Sequence, residues 1–221
     1  MRLLAVDTSS ASGSIALADS DRVIEEVALD APAEGFAHVL FGEIARLLAW
    51  HRLSLGDIDC FASAAGPGSF TGVRVGLTAV KGLAEANRRK VVAVSNLEAL
   101  AWFGSRPLRA PVLDARRGEI YGAVYDAEFH IARGEVVMPF TAWIATLSAG
   151  LPQDDIEIVT NGFVLPGQPY PVTHAPRALA GAIARIAALR FAEGLAQDPA
   201  EIDANYVRRS DAELLWRDPR A

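Results

Sequence analysis

The sequence predicts an α/β protein with two mixed sheets, each flanked by helices. Two observations carry this. The first hundred residues read as three strands and then alternating helices and strands, β-β-β-α-β-α-β-α, the order expected of a mixed sheet covered on both faces. After residue 104 the chain starts again in the same way, with an apolar strand that ends in aspartate, Val112-Leu113-Asp114. The division expected is a first lobe over 1–104 and a smaller second lobe with an irregular tail over 105–221. At 221 residues, 51% hydrophobic and 22% charged, the chain has length and apolar content enough for a buried core.

Each element has a local reason. Leu3–Val6 is an apolar strand stopped by Asp7-Thr8-Ser9-Ser10. Ser14–Ala18 and Val23–Leu29 follow, separated by short polar stretches of hairpin length. Phe36, Leu40, Ile44, Leu47 and Leu48 recur at helical spacing, which predicts a helix over 36–51. Asp59–Ala65 reads as a strand, Thr71–Asn87 as a helix and Val91–Val94 as a strand. Ser95 is placed to cap the next helix, with Glu98 three residues on to complete a capping box. Gly104–Pro111 is polar and contains two prolines, which marks it as the boundary. Beyond Asp114, Ile120–Tyr125 and Ile131–Val137 read as strands, Ala142–Ala149 as a short helix, Ile156–Val159 as a strand leading into Asn161-Gly162, and Leu179–Leu195 as a strong helix.

The formal net charge is −6. An acidic chain without a concentrated basic stripe is not built to grip nucleic acid through its own surface. Arg88-Arg89-Lys90 suits a helix C-terminus. Cys60 is the single cysteine, so no internal disulfide or cysteine-based metal cluster can form. The four histidines, His38, His51, His130 and His174, show no paired helical spacing, and no metal site is expected. Asp7 comes too early for a secretory apolar core, and no apolar run approaches membrane-spanning length. A cytoplasmic protein is expected.

The most specific string is Gly66-Pro67-Gly68-Ser69-Phe70-Thr71-Gly72-Val73-Arg74-Val75-Gly76. It joins a strand to a helix, with glycines that permit unusual backbone angles and with Ser69 and Thr71 both able to cap. No Lys-Ser or Lys-Thr pair closes it, so it is not a Walker phosphate loop. Asp7, with Thr8 and Ser9, and Asp114 end strands at comparable places in the two halves. Either the two carboxylates face one cleft, or each hydrogen-bonds its own turn. Ser9 and Ser69 lack a nucleophile-elbow context, and no catalytic set emerges. On the second helix Gly72, Gly76, Ala79, Gly82 and Ala86 recur at three- or four-residue steps. Each helical glycine costs roughly 1 kcal/mol against alanine, so a close approach must compensate, either by the chain's own sheet or by another subunit. Phe41 and Trp50 widen the apolar stripe of the first helix beyond one buried face. Residues Phe36, Leu40, Phe41, Gly72, Val73, Gly76, Ala79 and Val80 are therefore the candidate partner interface.

Several pieces together resemble the TsaB (YeaZ) family: Leu4-Ala5-Val6-Asp7-Thr8-Ser9, the Gly66–Gly76 string, Lys81-Gly82-Leu83-Ala84, Val94-Ser95-Asn96-Leu97-Glu98-Ala99-Leu100, Leu113-Asp114-Ala115-Arg116-Arg117-Gly118-Glu119-Ile120-Tyr121, and the closing run from Ala204 to Glu213. The resemblance implies the actin-like, Hsp70-ATPase-like (ASKHA) fold. It implies a non-catalytic scaffold that pairs with the threonylcarbamoyltransferase TsaD, works with the ATPase TsaE in making tRNA threonylcarbamoyladenosine, homodimerises alone, and meets tRNA only through the complex. No cofactor of its own is implied, although ATP or ADP could sit at the complex interface. Two departures stand out. The expected His-Ser/Thr and later Pro of the first helix are replaced by Phe36-Ala37 and Gly42, with His38 displaced, and the second-lobe glycine turn reads Thr160-Asn161-Gly162. The alternative is an independent actin-like kinase or nucleotide hydrolase using Asp7 and Asp114.

Overall fold

The computed structural model describes residues 1–30, 35–163 and 167–207. Its first sheet grows from an antiparallel meander, β1 (Arg2–Asp7), β2 (Ser12–Asp19) and β3 (Arg22–Asp30). A 3₁₀ turn at Phe36–His38 and helix α1 (Leu40–Trp50) lead to β4 (Cys60–Ala64). Helix α2 (Phe70–Asn87), β5 (Lys90–Val94) and helix α3 (Asn96–Ala101) complete the half. The strand order is β3-β2-β1-β4-β5, with β4 parallel to β1 and β5 parallel to β4.

The second half repeats the plan. Strands β6 (Leu108–Arg116), β7 (Glu119–Tyr125) and β8 (Ile131–Pro139) form the meander, α4 (Phe140–Leu147) crosses over, and β9 (Ile156–Thr160) and β10 (Val172–His174) add parallel strands. The order β8-β7-β6-β9-β10 reproduces that of the first sheet. The restart legible at Asp114 is therefore a repeat of topology. Helix α5 (Ala180–Ala192) ends the regular structure.

The two faces of the first sheet differ in side-chain size. Leu4, Val6, Ile15, Leu17 and Phe61 point to one face and pack with α1 and α2. Ala5, Ala16, Ala18, Cys60, Ala62 and Ala64 point to the other and pack with Ala180, Ile183, Ala184 and Ala187 of α5. Period-two alternation along each strand sorts large residues from small. The small face lets an alanine-rich helix lie close. The first N–H groups of α5 are capped from the first sheet: Ser14 Oγ accepts from Leu179 N (3.1 Å) and Ala180 N (3.0 Å), and Glu26 Oε1 accepts from Gly181 N (2.8 Å). Conversely, Leu97 and Ala101 of α3 pack with Ala123 and Tyr125 of the second sheet. Each half thus lends a helix to the other's sheet. Where the two helices meet, Arg190 grips Glu98 through both carboxylate oxygens (2.8 and 2.7 Å) and donates to Ala93 O (2.9 Å).

These facts correct several expectations. The helix expected over 36–51 is broken at Val39 into a 3₁₀ turn and α1. Glu98 does not complete a capping box, because the half-buried Arg190 takes its carboxylate; Ser95 alone caps, accepting from Leu97 N. The boundary is shorter than Gly104–Pro111, since β6 begins at Leu108 and includes Pro111. The 105–221 segment is not self-contained, because α5 belongs to the first sheet's core. The short strand β10 escaped the sequence reading, and α4 begins two residues earlier than expected.

The proposed interface changes most. Phe36, Leu40, Val73, Ala79 and Val80 are buried in the chain's own core. Gly72 and Gly76 face β1: a Cβ on Gly72 would overlap the Thr8 carbonyl oxygen, and one on Gly76 would lie 2.7 Å from Thr8 Oγ1. The glycines therefore serve approach by the chain's own sheet rather than by another subunit. Gly82 and Ala86 lie on the opposite, exposed side of α2. Of the candidate interface residues, Phe41 remains outside, 54% exposed, with Trp50 nearby in sequence at 79%. Gly72→Ala is expected to lower the unfolding free energy by about 1–3 kcal/mol or more, as overpacking does. Gly82→Ala, whose Cβ meets nothing within 4 Å, should raise it by up to about 1 kcal/mol. Urea denaturation of the two variants checks the contrast.

Candidate functional site

A cleft of about 1260 Å³ opens between the two sheets. It is lined by the end of β1 and the turn after it (Asp7–Ser10), by the turn after β4 and the start of α2 (Gly66–Gly72), by Asp114–Arg117 at the end of β6, which runs two residues past the expected stop at Asp114, by Asn161-Gly162 after β9, and by Arg177 and Asn205. The cleft gathers strand ends because each half places the turns after its first and fourth strands on the same side, and the exchanged helices hold the halves facing one another.

Asp7 and Asp114 do line this one cleft, and each also bonds its own turn. Asp7 is 1% exposed. Its Oδ1 accepts from Ser9 N (2.9 Å) and Ser9 Oγ (2.6 Å), with Asn96 Nδ2 at 3.5 Å. Burial pushes the Asp7 carboxyl above its ordinary value of 3.8, against the opposing pull of these hydrogen bonds. Asp114 Oδ1 accepts from Arg116 N (2.7 Å), and its other oxygen pairs with the Arg116 guanidinium at 3.3 Å. The two readings of the aspartates are compatible geometrically.

The glycine string is built around the β1–β2 turn. Gly66 adopts a φ of +98°, which favours glycine. Ser69 N donates to Ser9 O (2.6 Å), Ser69 Oγ caps Gly72 N (3.2 Å), and Thr8 Oγ1 donates to Gly72 O (2.7 Å). Ser69 is the cap, and Thr71 lies inside the helix. Part of the amide array that could receive an anion at a helix N-terminus is thus occupied by the chain itself. Asn96 ties the arrangement together: its Oδ1 accepts from Gly66 N (2.9 Å) and its Nδ2 donates to Ser9 Oγ (2.7 Å).

Asn96 and Asn205 sit inside strings that carry the resemblance but were given no role of their own, and Arg177 was not named at all. Single polar residues that reach across the fold leave no periodicity or spacing to find. Asp126, Glu128 and His130 come within 4.8 Å of one another on the β7–β8 turn, a cluster that their spacing did not suggest. The Asp126 carboxylate there accepts from Glu128 N, His130 N and the His130 ring, which closes the turn. His38 is exposed on the 3₁₀ turn. Among the described residues, no helix is long and apolar enough to cross a membrane. Of the closing run, residues from Arg208 onward lie outside the described residues.

A family model described as "TsaD: tRNA N6-adenosine threonylcarbamoyltransferase" matches residues 32–214. The Bacillus subtilis (strain 168) protein described as "tRNA threonylcarbamoyladenosine biosynthesis protein TsaB" is 37% identical over 127 residues, 57% of this chain and 55% of that protein. Its Escherichia coli (strain K12) namesake is 36% identical over 132 residues, 58% and 56% of the two chains. The solved structure "YeaZ from Pseudomonas aeruginosa" superposes with a TM-score of 0.79 at 26% identity, covering 93% of this chain and 99% of that one. The chain belongs to this transferase family, in its TsaB (YeaZ) branch. In sequence it spans about half the length of the curated TsaB relatives that it matches. Its two-sheet architecture is the actin-like fold, as in the YeaZ structure.

The buried carboxylate in this TsaB-family cleft has a stability consequence. Because burial raises the Asp7 carboxyl above its unfolded value, the folded chain holds that proton more tightly than the unfolded chain does. The stability Asp7 contributes is complete below about pH 4 and is lost as pH rises through the raised value. Asp7→Asn keeps an acceptor for Ser9 and removes the charge. It is expected to melt higher than the parent at about pH 7 and to lose that advantage towards pH 4, as thermal melts across this range would register.

Proposed function

We propose that this chain is a non-catalytic subunit of the machinery that makes threonylcarbamoyladenosine in tRNA, where it binds and activates the transferase TsaD. The observation that carries the reading is the occupied state of the cleft's key groups. Asp7 Oδ1 is engaged by Ser9 and Asn96, and the start of α2 is engaged by the Thr8-Ser9 turn. A site that meets its own hydrogen-bonding needs suits a scaffold better than a phosphoryl-transfer centre, which must present its groups to substrate and metal. The names of the TsaB relatives support the pathway, and the likeness of this chain to the TsaD family model fits pairing with a protein of the same family. Phe41 and Trp50, on opposite sides of the buried stripe of α1, are the exposed aromatic side chains of that helix and the ones we assign to association, with TsaD in the complex and with a second copy when the chain is alone. TsaE joins the complex, ATP or ADP binds at its interface, tRNA is met only through it, and all of this takes place in the cytoplasm.

The second reading, an independent kinase or nucleotide hydrolase, is favoured by one fact: Asp7 and Asp114 line a common cleft. Two measurements separate the readings. Mixed with TsaD of the same organism, the chain should co-elute as a stable complex, and transfer to tRNA should require both proteins. Alone it should show no substantial ATP turnover and no sub-micromolar tRNA binding at physiological salt. Turnover on the order of 10 per second that vanishes in Asp7→Asn would establish the kinase reading and overturn the scaffold.

A further inference from the structure

The segment after α5 runs back along the first half of the molecule. Gln197 forms a bridge to the edge strand β5, exchanging backbone hydrogen bonds with Val91 (2.8 and 3.0 Å). Ile202 is buried in the core beneath α2. Asn205 N donates to Ala65 O (2.7 Å), directly before the glycine string. Tyr206 closes over the start of α2: Arg74 Nε donates to its hydroxyl (2.8 Å), and the Arg74 guanidinium lies 3.7 Å from the centre of the Phe70 ring, with Tyr206 5.6 Å from Phe70. All of these attachments are to the first half.

One attachment crosses to the second sheet. Asn205 Nδ2 donates to Glu135 Oε2 on β8 (2.6 Å). The other oxygen of Glu135 accepts from Tyr125 OH (3.0 Å) and from Ser95 Oγ, the residue that caps α3. Glu135 therefore joins three groups from separate parts of the chain: β7, the start of α3 and the closing segment. Hydrogen bonds to a carboxylate are roughly twice as strong as neutral ones. Asn205 also lines the cleft, so the crossing lies at its rim.

We propose that residues 202–206 are a latch between the lobes, with the Asn205–Glu135 hydrogen bond as its catch, which fixes the width of the cleft and holds the glycine string in place. The attachments to Ala65 and Arg74 seat the latch on the first lobe, and the catch transmits that position to β8 and α3. Releasing the catch loosens the lobes at the cleft mouth only, while the exchanged helices α3 and α5 keep the two cores joined, because Asn205 is exposed and Glu135 half-buried.

Hydrogen–deuterium exchange on the full chain tests this, with Asn205→Ala, Glu135→Ala and the pair combined. Each single variant should melt cooperatively; Asn205→Ala, which breaks the catch alone, should raise exchange about tenfold, the worth of one charge-assisted hydrogen bond, in peptides covering both Ala65–Ser69 and Val94–Leu97, and Glu135→Ala, which also frees Ser95 and Tyr125, should raise it further. The double variant should match Glu135→Ala, which also loses the Tyr125 and Ser95 bonds, because that substitution has already removed the one bond that Asn205→Ala breaks. The radius of gyration from X-ray scattering should rise in all three. Exchange that rises only within residues 202–207 overturns the latch, as does full additivity of the two substitutions. Tyr206→Phe, which removes the Arg74 bond and leaves the catch, should raise exchange at Phe70–Arg74 alone; a rise at Val94–Leu97 in that variant would also overturn the assignment.

Discussion

The closest constraint in this molecule is the approach of α2 to the turn that follows β1. The Thr8 carbonyl occupies the space that a side chain at position 72 would need, and the Ser9 carbonyl does the same at Gly68, where a Cβ would lie 2.6 Å from it. From that contact follow the seating of α2 on the large-residue face of the first sheet, the direction in which Asp7 is held, and the shape of one wall of the cleft. The cost of glycine in a helix, about 1 kcal/mol each, is offset by packing and by the Thr8–Gly72 and Ser69–Ser9 hydrogen bonds. The glycine string thus acts as an internal joint.

A second constraint organises the halves. Sorting small side chains to one face of the first sheet makes room for α5, and the reciprocal placement of α3 binds the second sheet to the first. The Glu98–Arg190 pair stands where these two helices meet. Burial pushes the Glu98 carboxyl up, and Arg190 draws it back down. Removing Arg190 would leave the buried Glu98 carboxylate uncompensated. Exchange of helices means that neither half can reorganise alone, and the cleft between them is a property of the whole chain.

The cleft shows how one architecture supports either catalysis or assembly. Its position and two strand-end aspartates suit an actin-like fold, which hosts unrelated functions. Its groups are largely turned to internal use; of the exposed aromatic side chains, Phe70 lines the cleft at the entry to α2, while Phe41 and Trp50 lie outside it on α1. The balance between groups offered to ligand and groups consumed by structure carries more functional meaning here than the fold does.

The sequence by itself determined the class of fold, most elements to within two residues, the topological restart near Asp114, and the string that carries the family resemblance. These signals are local: apolar period, turn chemistry and short-range spacing. It also placed Asp7 and Asp114 at equivalent strand ends, and left open whether they face one cleft or serve their own turns. Only the tertiary structure showed that they do both. It likewise decided that the stripe of Gly72 and Gly76 faces β1, while Gly82 of the same pattern faces out, because a three- or four-residue step drifts around the helix and cannot say which neighbour the face meets. The partners of Glu98, Asn96, Glu135 and Asn205 were equally out of reach. Each is a single polar side chain paired across about 30 to 90 residues of chain, and such pairings are set by the folded geometry, which no local pattern encodes.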